Sequence, residues 1–153
     1  LNCILDTNVL IDGIDLTQFD KVYIPIKVIE ELDHLKINKN MDLAFKAKSA
    51  IKQLHNANNI EIRWNAQWAL PSEFMDNPDN QIISFAKDCI TFDKECTFLS
   101  NDYNVRLKSK YLDIPCMAHN DRIEENMYKG YKTISGGTSF INDFYDDISK
   151  GIN

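Results

Sequence analysis

The chain has 153 residues, about the length of one domain, and its 44% hydrophobic and 26% charged residues suffice for a buried core. No run approaches the ~18 apolar residues of a membrane span, so no membrane segment is expected. With 17 basic against 23 acidic residues the net charge is −6, which excludes nucleic-acid binding through bulk positive charge and leaves room for a local basic patch beside an acidic site.

Leu1 opens directly into a short apolar run with no basic stretch before it, which speaks against a secretory leader, and the missing initiator Met suggests a trimmed chain with partner domains elsewhere. Asn2 to Leu5 reads as a short strand closed by Asp-Thr-Asn, so Asp6 falls at its carboxyl end. Lys21 to Pro25 is a second strand-like run, and Pro25 can open the helix after it because its missing N–H costs little there. From Ile26 the positions Val28, Ile29, Leu32 and Leu35 recur at helical intervals, as do Leu43, Ala47, Ala50, Ile51 and Leu54 in the next segment, with Lys46, Lys48 and Lys52 off the apolar face. Ile60 to Trp64 alternates like a half-buried strand.

Residues 65–78 are the least regular stretch, and core packing is expected for the tryptophans that bracket them, Trp64 and Trp68. Asp79 begins a helix with Ile82, Ile83, Ala86, Cys89 and Ile90 on its buried face. Cys96 to Leu99 is another strand, followed by Ser-Asn-Asp and a helix through Val105 and Leu107, and Ile114 to Ala118 is the last core strand. Gly136-Gly137 marks a turn in the tail, and Phe140 to Ile148 suits a closing helix. The alternation predicts an α/β fold, a mostly parallel sheet covered on both faces, whose chemistry gathers beyond the carboxyl ends of the strands. Cys3, Cys89, Cys96 and Cys116 are scattered in apolar contexts without a CxxC pair, the pattern of buried reduced thiols in a cytoplasmic protein.

Asp6, Asp79 and Asp102 stand at strand or helix ends, and Glu31 lies within a helix; each is set in apolar sequence that is costly for a carboxylate without compensation. Ordinary roles exist for most of them. Asp79 and Asp102 suit helix N-caps, and Glu31 suits an exposed face beside Glu30 and Asp33. Asp6 is hardest to explain as structural, because a carboxylate directly after a buried strand rarely improves a core.

These segments, LDTNVLID at Leu5 to Asp12, IPIKVIEELDHLK at 24–36, NPDNQIISFA at 77–86 and FLSNDYNVRLKSK at 98–110, resemble the successive signatures of PIN-domain nucleases. The closest resemblance is to the PIN domain that precedes the ATPase in PhoH-like proteins, and it runs from about Leu1 to Tyr131, including Tyr-Lys-Gly-Tyr at 128–131. It implies a three-layer α/β/α sandwich over one domain, with a core to about residue 120 and an extension to 153. It also implies an acidic quartet of Asp6, Glu31, Asp79 and Asp102 as both catalytic residues and metal ligands. Thr7, Asn8, Ser100 and Asn101 match the polar residues that orient those carboxylates. One departure is Lys48, which stands where the subfamily usually carries an arginine.

Two unit charges ~4 Å apart repel by about 4 kcal/mol at an effective dielectric near 20, so a converged quartet would take up protons or a cation. Oxygen ligands select Mg²⁺ or Mn²⁺, one or two ions, while His34, His55 and His119 show no ligand spacing. Such an ion activates water for in-line attack on phosphorus. The resemblance thus implies a ribonuclease for single-stranded RNA, with Arg106, Lys108 and Lys48 on the phosphate backbone. It further implies a PhoH-type ATPase partner and possible self-association. Two alternatives stay open. One is a catalytically silent binding or regulatory module of the same fold. The other is a receiver-like phosphoacceptor domain, which would need paired acids after the first strand where this chain has Asp-Thr-Asn.

Overall fold

The computed structural model describes residues 1–64 and 67–119. Strand β1 (Asn2–Leu5) leads through a short helix α1 (Thr7–Asp12) and a 3₁₀ turn at Leu16–Gln18 into β2 (Lys21–Pro25). Helices α2 (Ile26–Leu35) and α3 (Met41–Asn56) precede β3 (Ile60–Arg63), and α4 (Pro78–Phe92), β4 (Cys96–Leu99), α5 (Tyr103–Tyr111) and β5 (Cys116–Met117) complete the described part. Among these residues no helix is long and apolar enough to cross a membrane.

All five strands run parallel, in the order β3-β2-β1-β4-β5. Parallel neighbours need crossover helices, and right-handed crossovers put α1, α2 and α3 on one face of the sheet and α4 and α5 on the other. The strands are nearly continuous apolar runs because both faces are covered: Cys3, Ile4 and Leu5 of β1, Val22 and Ile24 of β2 and Phe98 and Leu99 of β4 are buried. The helices bury the stripes their periodicity set out, Val28 and Leu32 in α2, Ala47, Ala50 and Leu54 in α3, and Ile82, Ile83, Ala86 and Cys89 in α4. The expected α/β/α architecture is the observed one.

Strand order reverses at β1, whose chain continues to β2 on one side while β4 returns to the other. The crevice beyond the carboxyl ends of β1 and β4 is therefore the position where this class of sheet binds ligands. Asp6 and Ser100 face each other across it, since Leu5 pairs with Leu99 and the Asp6 N–H donates to the Leu99 carbonyl at 3.0 Å.

Two expectations need correction. Trp64 is 79% exposed and Trp68 37%, so neither is a core residue. Among the described residues strand β3 is a four-residue edge strand with a neighbour on one side only, and Trp64 lies past its carboxyl end. The same edge position leaves Ile62 53% exposed, while Arg63 lays its guanidinium 4.4 Å from the Phe92 ring centre. Helix α1 is an addition: a six-residue element inside what reads as a polar strand ending, stopped by Gly13, whose φ of 95° favours glycine. The expected turn at Gly136-Gly137, the closing helix at Phe140 to Ile148 and the segment 128–131 lie outside the described residues.

Candidate active site

Asp6 is the hinge between β1 and α1. Its backbone is extended, its carbonyl opens α1, and its side chain is 4% exposed. The carboxylate is held by three donors: the Thr7 N–H at 2.8 Å on Oδ1, and the Ser100 hydroxyl at 2.7 Å and the Asn8 amide at 3.3 Å on Oδ2. Burial nevertheless pushes its pKa up to about 6, against the lowering effect of the Ser100 and Thr7 hydrogen bonds, and the charges of Asp79 and Glu31 add to the rise. A buried acid with like charges beside it is stable in ionised form only if something positive compensates.

Glu31 reaches the same place from α2. The Thr7 hydroxyl donates to its Oε1, while Asp33 is exposed and pairs with Lys36. Asp79 arrives from α4 on the opposite side of the sheet. It is not the N-cap of that helix: Asn77 takes the position, accepting from the Asn80 N–H at 2.9 Å, with Pro78 next, which leaves Asp79 in the first turn without a capping bond of its own. Asp6, Glu31 and Asp79 line one cavity of about 540 Å³ together with Thr7 and Asn8.

Asp102 stands differently. It is the N-cap of α5, with Oδ1 accepting from the N–H groups of Asn104 at 2.8 Å and Val105 at 3.3 Å, and it is not among the residues lining the cavity. It is tied to the cavity through Ser100, whose fully buried hydroxyl donates to Asp6 and accepts from the Asp102 N–H at 3.1 Å. Asn101 links the same loops, its N–H on Asn8 Oδ1 at 3.0 Å, its amide on Asp12 at 2.8 Å and its Oδ1 accepting from the His119 N–H at 2.9 Å. Thr7, Asn8, Ser100 and Asn101 thus all bond to an acidic residue or to the loop that carries one.

The cations fall less neatly. Lys48 is exposed on α3 outside the cavity lining, Arg106 lies with its guanidinium 4.6 Å from the Tyr103 ring centre, and Lys108 donates to Asn80 Oδ1 at 2.9 Å. Lys27, Glu30 and His34 also line the cavity, joining Glu31 along one face of α2; sequence reasoning missed Lys27 and His34 and preferred Glu31 to Glu30 as the acid of that motif. The spacing 27, 30, 31, 34 was the available signal, since these positions share a helical face. Lys27 and Glu30 form an ion pair at 3.4 Å.

The donors converging here are carboxylate, hydroxyl and amide oxygens, a set that fits a hard divalent ion. Among the described residues, no group of three or more His, Cys, Asp or Glu side chains stands in ready-made ligand geometry. The carboxylates share a cavity without closing on one point. The thiols do not line the cavity: none of the four is in a disulfide, burial pushes Cys116 up to about 12, and Cys96 is raised by its hydrogen bond with Cys89 and by burial.

Residues 3–120 match the family model described as PIN domain. No curated protein matches the chain. Among solved structures, the chain is similar to a domain of a functionally unknown protein from Methanocaldococcus jannaschii DSM 2661, with TM-score 0.54, 20% identity, and coverage of 76% of this chain and 89% of that one. At that identity the likeness is one of fold.

Proposed function

The chain belongs to the PIN-domain family, and from that premise we propose that it is a metal-dependent ribonuclease that hydrolyses phosphodiester bonds of single-stranded RNA. PIN domains are generally metal-dependent nucleases. The observation that carries the proposal is the meeting of Asp6, Glu31 and Asp79 around one cavity, with Asp6 buried and its pKa lifted to about 6. A perturbed acid beside two further carboxylates in a cleft at a sheet's switch point is what a functional site looks like physically.

In this reading Asp6, Glu31, Asp79 and Asp102 hold one or two ions, Mg²⁺ or Mn²⁺. An ion held there would supply an activated water near neutral pH and would neutralise charge on the phosphoryl oxygens. The protein's own part is preorganisation. Ser100 and Asn8 fix the Asp6 carboxylate, Thr7 turns Glu31 inward, and the Asp102 N-cap aligns the first turn of α5 with Ser100. Lys27 on the cavity wall, with Arg106 and Lys48 farther along their helices, supplies positive charge for the substrate's phosphates. The reading extends to kinship with the PIN domains of PhoH-like proteins, work beside a PhoH-type ATPase, self-association, and a cytoplasmic setting in keeping with four cysteines outside any disulfide.

A second reading, a catalytically silent nucleic-acid-binding or regulatory module, has one observation in its favour: the carboxylates stop short of ligand geometry. Labelled single-stranded RNA incubated with Mn²⁺ or Mg²⁺ decides between them. The nuclease reading requires cleavage that disappears with EDTA and in Asp6→Asn. Cleavage equal in the variant points to a contaminant, and binding without cleavage by any form selects the silent module.

A further inference from the structure

Asn80, directly after Asp79, is 3% exposed, and its side chain is engaged at both ends. Its Nδ2 donates to the Met75 carbonyl at 2.8 Å, and its Oδ1 accepts from Lys108 Nζ at 2.9 Å. Its backbone N–H is the one that Asn77 caps at 2.9 Å. One buried amide thus fastens the 75–77 approach to α4 and the first turn of that helix, which is the turn that carries Asp79.

The donor that completes it comes from α5, the helix capped by Asp102. Lys108 is half-buried, in contrast to the exposed Lys110 on the same helix. A lysine that tracks a phosphate backbone works as a hydrated point charge on a free stem. Lys108 instead commits its ammonium to a buried neutral acceptor, a charge-assisted bond that is costly to leave half-made. The contact joins the first turn of α4 to the body of α5, beside a second tie farther along α4, where Lys87 Nζ donates to the Leu112 carbonyl at 2.7 Å.

We propose that Lys108 and Asn80 form a positioning pair, in which Lys108 acts through Asn80 to set Asp79 relative to Asp102 and does not contact substrate. This rests on the nuclease reading of the cavity. Mn²⁺ affinity of the metal-free protein, read by calorimetry, and RNA affinity as a function of salt separate the possibilities, in Lys108→Met, Lys108→Arg, Asn80→Ala and the Met/Ala double variant. Lys108→Met is expected to weaken Mn²⁺ binding about tenfold, in the range for groups that orient metal ligands, with the salt slope for RNA unchanged. Asn80→Ala is expected to match it, the double variant to be no worse than either single one, and Lys108→Arg to recover most of the loss.

A salt slope shallower by about 0.7 in Lys108→Met, the loss of one phosphate contact on a single strand, with Mn²⁺ affinity intact, would assign the lysine to the RNA backbone and overturn the pair. Additive losses in the double variant would overturn it as well. If Lys108→Met fails to fold, Lys108→Gln, a shorter neutral side chain, takes its place, and Mn²⁺ affinity unchanged in that variant counts against the proposal. A wild type that binds no Mn²⁺ sinks the nuclease reading and the pair together. A wild type that binds Mn²⁺ no better than Lys108→Met sinks the pair alone.

Discussion

Two partly or wholly buried aspartates sit at opposite ends of the same sheet and are treated in opposite ways. Asp93, just before β4, accepts from the Tyr23 hydroxyl at 2.8 Å, the Asn2 amide at 2.9 Å and the Glu95 N–H at 3.2 Å. Burial pushes its carboxyl upward, but those hydrogen bonds and the Lys21 charge outweigh it and hold the group below its usual range. Asp6, just after β1, also has three donors, yet burial wins and lifts it to about 6, with Asp79 and Glu31 adding to the rise. Both are well hydrogen-bonded, so hydrogen bonding is not what separates them. The difference lies first in burial, nearly complete at Asp6 and only partial at Asp93, and then in the neighbouring charge: a lysine beside one, two further carboxylates beside the other. Asp93 is a carboxylate that stabilises the fold; Asp6 is one the fold tolerates.

The sharpest way to break this contrast is a pair of isosteric substitutions. Asp6→Asn is expected to lower metal-dependent RNA cleavage by at least about 100-fold. It is also expected to raise metal-free stability at pH 7 by on the order of 2–3 kcal/mol, the equivalent of the lifted pKa. The Ser100 hydroxyl can turn to accept from the new amide, while the Asn8 amide gives up its 3.3 Å bond to Oδ2, which offsets part of that gain. Asp93→Asn is expected to do the reverse, leaving cleavage intact and lowering stability by about 1–3 kcal/mol. Thermal unfolding beside a cleavage assay reads both. Equal destabilisation by the two would erase the distinction.

The pH dependence follows from the same two groups. A protonated Asp6 stabilises the folded state; that contribution is complete below the unfolded value of 3.8 and is lost as pH rises through about 6. Asp93 contributes in the other direction, present above pH ~4 and lost as pH falls below it. In denaturant titrations of the metal-free protein, Asp6→Asn should therefore flatten the decline between pH 4 and 7, and Asp93→Asn should leave that decline in place. A decline unchanged in Asp6→Asn would place the lifted acid elsewhere.

Smaller effects refine the contrast. Thr7→Val removes the hydroxyl that orients Glu31 and is expected to weaken Mn²⁺ binding about tenfold, with Thr7→Ser close to wild type. Ser100→Ala removes a donor that holds the Asp6 pKa down, so the acid limb of the cleavage profile should move to higher pH. Smallest of all, Trp64→Ala should change stability by less than about 0.5 kcal/mol, because the ring is exposed.

The fold was legible because its signals are local. Runs such as NCIL and CTFL and the apolar stripes of α2, α3 and α4 dictate parallel strands and crossover helices wherever they occur. The position of Asp6 at a strand's carboxyl end was equally local. Less legible was everything decided by who stands next to whom across the sheet. Asp79 looked like a cap until Asn77 took the position, and Asp102 is a cap as its ordinary reading had it. Lys108 looked like a surface cation, yet its partner Asn80 is 28 residues away on another helix. Trp64 and Trp68 looked like core residues because aromatic side chains usually are, and only the edge position of β3 shows otherwise. The resemblance to PIN domains pointed to four acids, of which Asp6, Glu31 and Asp79 line one cavity and Asp102 does not, while the Thr7 link to Glu31 and the Ser100 bridge from Asp6 to Asp102 needed coordinates.

The central claim is that Asp6 is buried beside Glu31 and Asp79 in order to hold a divalent cation. Thermal unfolding of wild type and Asp6→Asn at pH 7, with EDTA and then with excess Mn²⁺, tests it without any substrate. The account predicts that Asp6→Asn is the more stable of the two in EDTA and that Mn²⁺ raises the wild type alone. Equal responses of the two proteins to Mn²⁺, or none from either, would contradict it.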